Sequence, residues 1–515
     1  MASNNNVRLG NQHSPRALFL CLLAAIVSAL AAVGCTQEPP PPPAPPEPER
    51  ELFHWTRPVL LDVASTDTST ETHDLAWLER ELRYLLLRGH MRLLSDASRT
   101  PVFVLRLQLD ADAKHAQLQL IAPDGLLERE RKLELGPEPL ATIKTLAEAL
   151  PRFLETPART RDWTRFIGTD DARAYDIYLR SAQDVLGASS PGITRPVWSN
   201  AATRAIARLE SLTRSHPRFA RAWAALAVAY LSLGGKDVPS LTELAESSAE
   251  RALVLDDEIA EAHAALGIVH LRRNEWIAAH ERLQRALELD ARLAAAAEAI
   301  ACLYADAGLY ARSLAHSRLA VSLQPRNAGA LECLAYAEIG SGTAADADEF
   351  VPIASVARVR ALAAFLQGDA RAAERLLRRT IPRAEFEIWA GPTLQAASNR
   401  RMVPDALKAI TRAANDGYID AATEILCGAA LKQPEFVFNR IARLARDELH
   451  APLRVLWLPN ADFLRKHPRF EDVISKAGLP SFWHGNGPPD ICVREPNVYG
   501  CSLSAAPPTA AHTGA

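Results

Sequence analysis

Between Glu258 and Pro325 the chain repeats itself. The first copy, EIAEAHAALGIVHLRRNEWIAAHERLQRALELDA, places small or apolar residues at His263, Leu266, Gly267 and His270, then at Ala279, Leu283 and Ala286. The second copy places Ala297, Ile300, Ala301 and Tyr304, then Ser313, Ser317 and Ala320, at matching offsets, so the period is 34 residues. A fixed period of that size means an array of helical hairpins. One hairpin cannot bury its apolar face alone, so copies stack, each braced by its neighbours, and leave an inner face lined by the first helix of every hairpin. The eighth position of each first helix must be small, because the second helix crosses there at close distance; Gly267 and Ala301 occupy it.

The preceding copy reads Trp223-x2-Leu226-Ala227-x2-Tyr230. With the small residues of the second helices and the closing Pro325, this pattern resembles the tetratricopeptide repeat. DARAYDIYLR, Asp171 to Arg180, resembles the first repeat helix of bacterial arrays fused to adenylate cyclases and winged-helix regulators, with Tyr175, Tyr178 and Leu179 at the matching positions. Beyond Pro325 the signature decays. A hairpin begins at Leu331, Leu334 and Ala335, a shortened one surrounds Gly368-Asp369, and helical periodicity alone continues through Val403 to Gly417 and Phe436 to His450. Phe463 to Ile491 resembles the closing helix and aromatic plug of the same signalling proteins. The repeats are therefore expected over 157–450, a helical cap and tail over 451–502, and disorder over 503–515.

Ahead of the array, Arg8, His13 and Arg16 precede an apolar run from Ala17 to Val33 that ends in Ala32-Val33-Gly34-Cys35. This is a targeting segment, and it resembles a bacterial lipoprotein signal over 1–34. The resemblance implies lipidation at Cys35. An ordinary cleaved signal and an uncleaved anchor are the other readings, and each places the rest of the chain outside the cytoplasm. Residues 35–50 follow as a proline-rich linker, EPPPPPAPPEPE at its centre; proline fixes φ and lacks the amide hydrogen, so an extended spacer is expected.

Residues 51–156 read as a small α/β domain. RPVLLDV is a buried-strand run, LAWLERELRYLLLRG has helical period with Gly89 as its stop, and MRLLSD begins a second strand. VFVLRLQLD, AQLQLIA and LLERERKLEL, separated by turn signals, form an antiparallel meander, and a helix from Pro139 to Leu154 closes the domain. That order resembles the TolB amino-terminal and FlgO-like modules. The fold class is thus mainly α, a tetratricopeptide-like α-solenoid preceded by a small α/β domain.

A formal net charge of −3 draws the chain to no polyanion, so nucleic acid is not an expected partner. Repeat offsets put Arg221, Val228, Glu261, Ile268, Arg272, Glu298, Asp306 and Tyr336 on the inner face. Clamping a terminal carboxylate takes several convergent donors; here they are sparse and acids intrude, which predicts a mixed apolar and weakly acidic groove for proteins or peptides. The alternative is that these residues only solvate a spacer or a self-association surface. Cys492 and Cys501, in a Pro/Gly-rich tail, are the disulfide candidate. Cys302, Cys333 and Cys427 lie in helical patterns and read as buried thiols. His263 and His270 share a helix face at packing positions and read as packing residues rather than a metal site. No residue pattern points to catalysis, a metal or a cofactor. The sequence therefore predicts a non-catalytic, lipid-anchored envelope scaffold, extracytoplasmic in a Gram-negative bacterium on either membrane. The competing reading is the periplasmic sensory arm of a signalling system, binding a small ligand or a membrane partner.

Overall fold

Two small residues show why the hairpins close as they do. At Gly267 an added Cβ would lie 2.6 Å from Leu283 Cγ, and at Gly340 it would lie 2.0 Å from the Tyr310 ring, so in both places a neighbouring helix occupies the space a side chain would need. The turns inside three of the hairpins impose a second demand. Asn274 and Gly308, 34 residues apart, both take left-handed backbone with φ of 59° and 77°, and Gly368 does so at 98°, a conformation Gly and Asn reach most cheaply.

The computed structural model describes residues 53–65, 72–94, 102–157, 160–187, 195–233, 238–343, 353–444 and 450–501. The expected signal, Cys35, the proline-rich linker and the tail over 503–515 lie outside the described residues. By internal contacts the chain divides into Met1–Leu52 and Phe53–Ala515, and everything described belongs to the second unit.

The chain is mainly α, with a five-stranded sheet ahead of a helical solenoid. The strands are β1 (Val59–Ser65), β2 (Leu93–Leu94), β3 (Phe103–Leu109), β4 (His115–Ile121) and β5 (Leu127–Glu134), with α1 (Thr72–Arg88) and α2 (Pro139–Phe153) between and after them. Their order is β2-β1-β3-β4-β5, parallel around β1 and antiparallel from β3 onward. Alternation decides the faces: Phe103, Leu105, Leu107 and Leu109 of β3, and Ala116, Leu118 and Leu120 of β4, are buried in one core with Leu82 of α1 and Leu146 of α2. The other face carries a polar row in register across four strands, Asp62, Arg106, Gln119 and Glu130.

The solenoid runs through α3 (Ala172–Gly187), α4 (Arg195–Ser215), α5 (Ala220–Ser232), α6 (Val238–Leu255), α7 (Ala260–Arg272), α8 (Trp276–Leu289), α9 (Ala294–Asp306), α10 (Tyr310–Leu323) and α11 (Ala328–Ser341). Successive pairs α3–α4 to α9–α10 are hairpins, and the first helices α5, α7, α9 and α11 also touch one another in sequence. Where the signature fades, helices persist: α12 (Ala354–Leu366) and α13 (Ala370–Thr380) form one more hairpin. Then come α14 (Gly391–Ser398), α15 (Val403–Asn415), α16 (Ala421–Ala430) and α17 (Pro434–Ile441). Four short α-helices follow, α18 (His450–Leu456), α19 (Asp462–Arg465), α20 (Arg469–Lys476) and α21 (Leu479–Asn486), and then a 3-10 turn at Asp490–Val493.

Two long-range packings shape the inner face. The sheet's core is continuous with that of the first repeats, since Leu86, Leu150, Tyr175, Leu209 and Leu226 share one apolar cluster. At the far end the last helices fold back on the middle of the array. Trp457 Nε1 donates to the Asp306 carbonyl at 2.9 Å, Trp483 Nε1 to the Ala307 carbonyl at 3.0 Å, and Trp276 Nε1 to the Ala477 carbonyl at 2.6 Å. Trp457 also meets Trp483 and Phe470 edge to face, both at 5.5 Å. Each of these indoles would cost free energy if buried without a partner, so their hydrogen bonds fix where the cap sits.

Candidate functional site

The inner face is where a hairpin array offers successive side chains to a ligand, and most of the sequence-derived groove residues prove to be occupied by the chain itself. Arg221, at the start of α5, is 6 % exposed. Its Nη1 and Nη2 donate to Glu81 Oε2 and Oε1 of α1 at 2.7 and 2.9 Å. Tyr175 of α3 donates to the same carboxylate at 2.6 Å, and the guanidinium lies over the Tyr84 and Tyr178 rings at 3.9 and 4.8 Å. Burial pushes the Glu81 carboxyl up, but Arg221 and Arg80 overcome it and hold the group below its ordinary range; Arg221 stays protonated. Along the same helix Arg83 pairs with Asp290 at 3.5 Å, and Arg88 with Asp256 at 3.1 Å and Glu258 at 2.5 Å. α1 thus covers the N-terminal half of the inner face, touching the turns that lead into α7 and α9. Glu261 lies beneath it, its carboxyl pushed up by burial against the pull of Arg221.

The C-terminal half is covered by α18. Arg454 donates from Nε to Asp306 Oδ1 at 2.7 Å, stands 3.6 Å from Glu332 Oε1, and lies over the Tyr336 ring at 5.3 Å. Tyr310 donates to the Arg454 carbonyl at 2.7 Å. Asp306 and Tyr336 are consequently buried rather than available to a groove ligand. Burial pushes the Glu332 carboxyl up to about 7, against the opposing pull of Arg454.

Glu298 is turned toward its own neighbour. It accepts from Asn327 Nδ2 at 2.7 Å, and the absence of a side chain at Gly329, where a Cβ would come 2.1 Å from Glu298 Oε1, leaves its carboxyl room. Arg272 donates to the Leu231 carbonyl at 2.9 Å and to Thr242 Oγ1 at 3.1 Å, bracing the preceding hairpin. Of the eight positions, Val228 and Ile268 are half-buried, apolar and equivalent on adjacent helices, with half-buried Cys302 next in the series. These three recur at one offset on successive first helices, between the residues paired with α1 and those paired with α18.

The cysteines depart from the sequence reading at one pair. Cys302 and Cys333 are not thiols: they form a disulfide that links α9 to α11 with a Cα–Cα distance of 5.3 Å. Their helical pattern suggested apolar packing, but the 31-residue separation is close to one repeat and brings them together on adjacent first helices. Cys492 and Cys501 are bonded as well, and Cys427 is a buried free thiol. His263 packs with Nε2 against the Asp257 carbonyl at 3.0 Å, and His270 Nδ1 meets Glu275 Oε2 at 2.6 Å. Among the described residues no cluster of three metal-ligating side chains occurs, and no helix is long and apolar enough to cross a membrane.

Sequence reasoning missed Glu81 and Arg454, the two residues that hold the covers down. The signal was present in each case. Glu81 sits on the apolar stripe of Leu78, Leu82 and Leu85, and Arg454 interrupts the run Leu453, Val455, Leu456, Trp457. A lone charge inside an apolar face needs a buried counter-charge.

No family model matches the chain, and no curated protein is similar to it. Solved structures are. TTC0263, a thermophilic TPR protein in Thermus thermophilus, is 20% identical over 38% of this chain and 90% of its own, with a TM-score of 0.26. MamA is 21% identical over 35% and 88%, with a TM-score of 0.23. YrrB, described as a TPR protein with an unusual peptide-binding site, is 20% identical over 34% and 83%, with a TM-score of 0.23. The assignment of hairpin repeats to this chain rests on its own 34-residue period and helix packing.

Proposed function

We propose that this chain is a non-catalytic protein- or peptide-binding scaffold of the cell envelope, anchored through a lipid on Cys35, and that it binds on the strip left open between α1 and α18. The observation that carries this reading is the strip itself. Val228, Ile268 and Cys302 repeat at one offset on adjacent first helices and stay half-buried, while the polar groups around them are committed to partners within the chain. An apolar floor on a rigid support suits an extended or helical segment whose apolar side chains recur at matching spacing. The two disulfides support an oxidising compartment.

A photo-crosslinking side chain placed at Ile268 in the full-length protein, irradiated in cells, tests the reading against the same side chain at Ile277, which is 49 % exposed at the start of α8. Envelope proteins attached through position 268 and not through 277 are the expected outcome. Equal attachment at both, or attachment at 277 alone, removes the strip as the binding surface. Labelled fatty acid incorporated by the native chain and lost in Cys35→Ala tests the anchor.

The second reading, a sensory arm for a small ligand, has one feature in its favour. A polar cleft of about 490 Å³ opens where the end of α1 meets the α6–α7 turn, lined by Arg88, His90 and Arg165 on one side and Asp256, Asp257 and Glu258 on the other. Ligand-induced protection of that turn, with no partner captured at Ile268, would favour it.

A further inference from the structure

The two sulfurs of the Cys302–Cys333 bridge stand in unlike surroundings. Cys302 is half-buried, whereas Cys333 is 1 % exposed. Arg454 Nη1 donates to Cys333 Sγ at 3.1 Å while its Nε holds Asp306. In thiol–disulfide exchange the attacking thiolate takes the accessible sulfur, and exchange is faster when the departing sulfur is the better-stabilised thiolate. A neighbouring guanidinium stabilises a thiolate. Access and electrostatics therefore select the same direction. At the other bridge Cys501 Sγ lies 3.5 Å from the Glu495 carbonyl oxygen, whose negative end disfavours a thiolate. The remaining cysteine among the described residues, Cys427, is buried, and burial pushes its thiol up.

We propose that Cys302–Cys333 is a thiol-exchange site on the inner face: the thiolate of a small thiol bonds to Cys302 Sγ, the S–S bond breaks, and Cys333 departs as a thiolate held by Arg454. The step conserves electrons, because one disulfide is exchanged for another, the mixed disulfide on Cys302. The proton released when the incoming thiol ionises goes to solvent, and Arg454 then faces Asp306, Glu332 and the thiolate. A second thiol equivalent attacking the mixed disulfide yields the oxidised dimer of the small thiol and leaves Cys302 reduced. The modification would sit on the floor of the proposed strip, yet it rests on the bridge and its arginine and does not depend on the strip binding a protein.

The experiment is exposure of the oxidised full-length protein, without denaturant, to reduced glutathione, followed by acid quench, alkylation and peptide mass mapping. A parallel arm uses a protein dithiol whose resolving cysteine is replaced by serine, and the faster arm identifies the source of the thiol. The expected result is an adduct on Cys302, an alkylated Cys333 and an intact Cys492–Cys501 bridge. Asp306→Asn, which frees Arg454 from its carboxylate, should speed adduct formation, and Arg454→Lys, which keeps the charge but loses the fork, should slow it by about tenfold. An adduct on Cys333, earlier opening of Cys492–Cys501, or rates unmoved by both variants would overturn the proposal.

Discussion

The two halves of the inner face are closed by the same device with its polarity reversed. In the N-terminal half the array supplies the arginine, Arg221, and the covering helix supplies the acid, Glu81. In the C-terminal half the array supplies the acids, Asp306 and Glu332, and the covering helix supplies the arginine, Arg454. Both guanidiniums rest against tyrosine rings, Tyr84 and Tyr178 in one case and Tyr336 in the other. The halves differ in charge balance. Glu81 meets its arginine in a bidentate pair and is held ionised, whereas Arg454 is shared between two carboxylates, one of which titrates near neutrality. The comparison teaches that a charged groove residue in a repeat array is not evidence of an external ligand until the chain's own termini have been placed.

The largest effect should follow Arg221→Leu. It strands Glu81, which is fully buried, and losing one partner of such a pair costs about 3–5 kcal/mol, read by urea unfolding; burial then acts on the Glu81 carboxyl without its main opponent, so the loss should be greater at about pH 8 than at about pH 6. Arg454→Leu should cost as much at about pH 8 but visibly less at about pH 6. With the cation gone, nothing opposes the burial that already holds the Glu332 carboxyl above its unfolded value, so stability is lost as pH rises through that range. A loss below about 1 kcal/mol for either variant would show that its pair does not hold the cover. Next comes Cys302→Ala with Cys333→Ala, which removes a bridge spanning 31 residues and should cost about 2–4 kcal/mol, read as a lower Tm in the oxidised protein only. The smallest effect is acid sensitivity. Burial depresses His263, His280 and His316 below 6.5, so the unfolded chain takes up protons first and Tm should fall as pH drops below about 6.5, a decline that His280→Gln should reduce.

Much of the fold was legible because it is local and periodic. The 34-residue spacing, the small residues at Gly267 and Ala301 and the alternation of Phe103 to Leu109 each follow from helix or strand geometry over a few neighbours. The covers were not legible, because they depend on pairs such as Glu81–Arg221 and Asp306–Arg454, separated by 140 and 148 residues. Offset arithmetic puts Arg221, Asp306 and Tyr336 on first helices of the array, and says nothing about what lies over them. The Cys302–Cys333 bridge falls between these cases: its spacing is nearly one repeat, but helical periodicity alone gives a buried thiol the same signature as half a disulfide.

Hydrogen exchange of the full-length protein, followed by peptide mapping, tests the two covers at once. If α1 and α18 are seated on the inner face as described, amides over 78–86 and 452–456 will exchange as slowly as those of α7 and α9, through global unfolding. Exchange of either segment at the rate of an exposed loop, with α7 and α9 still protected, would contradict the account and return Arg221 or Asp306 to an open groove.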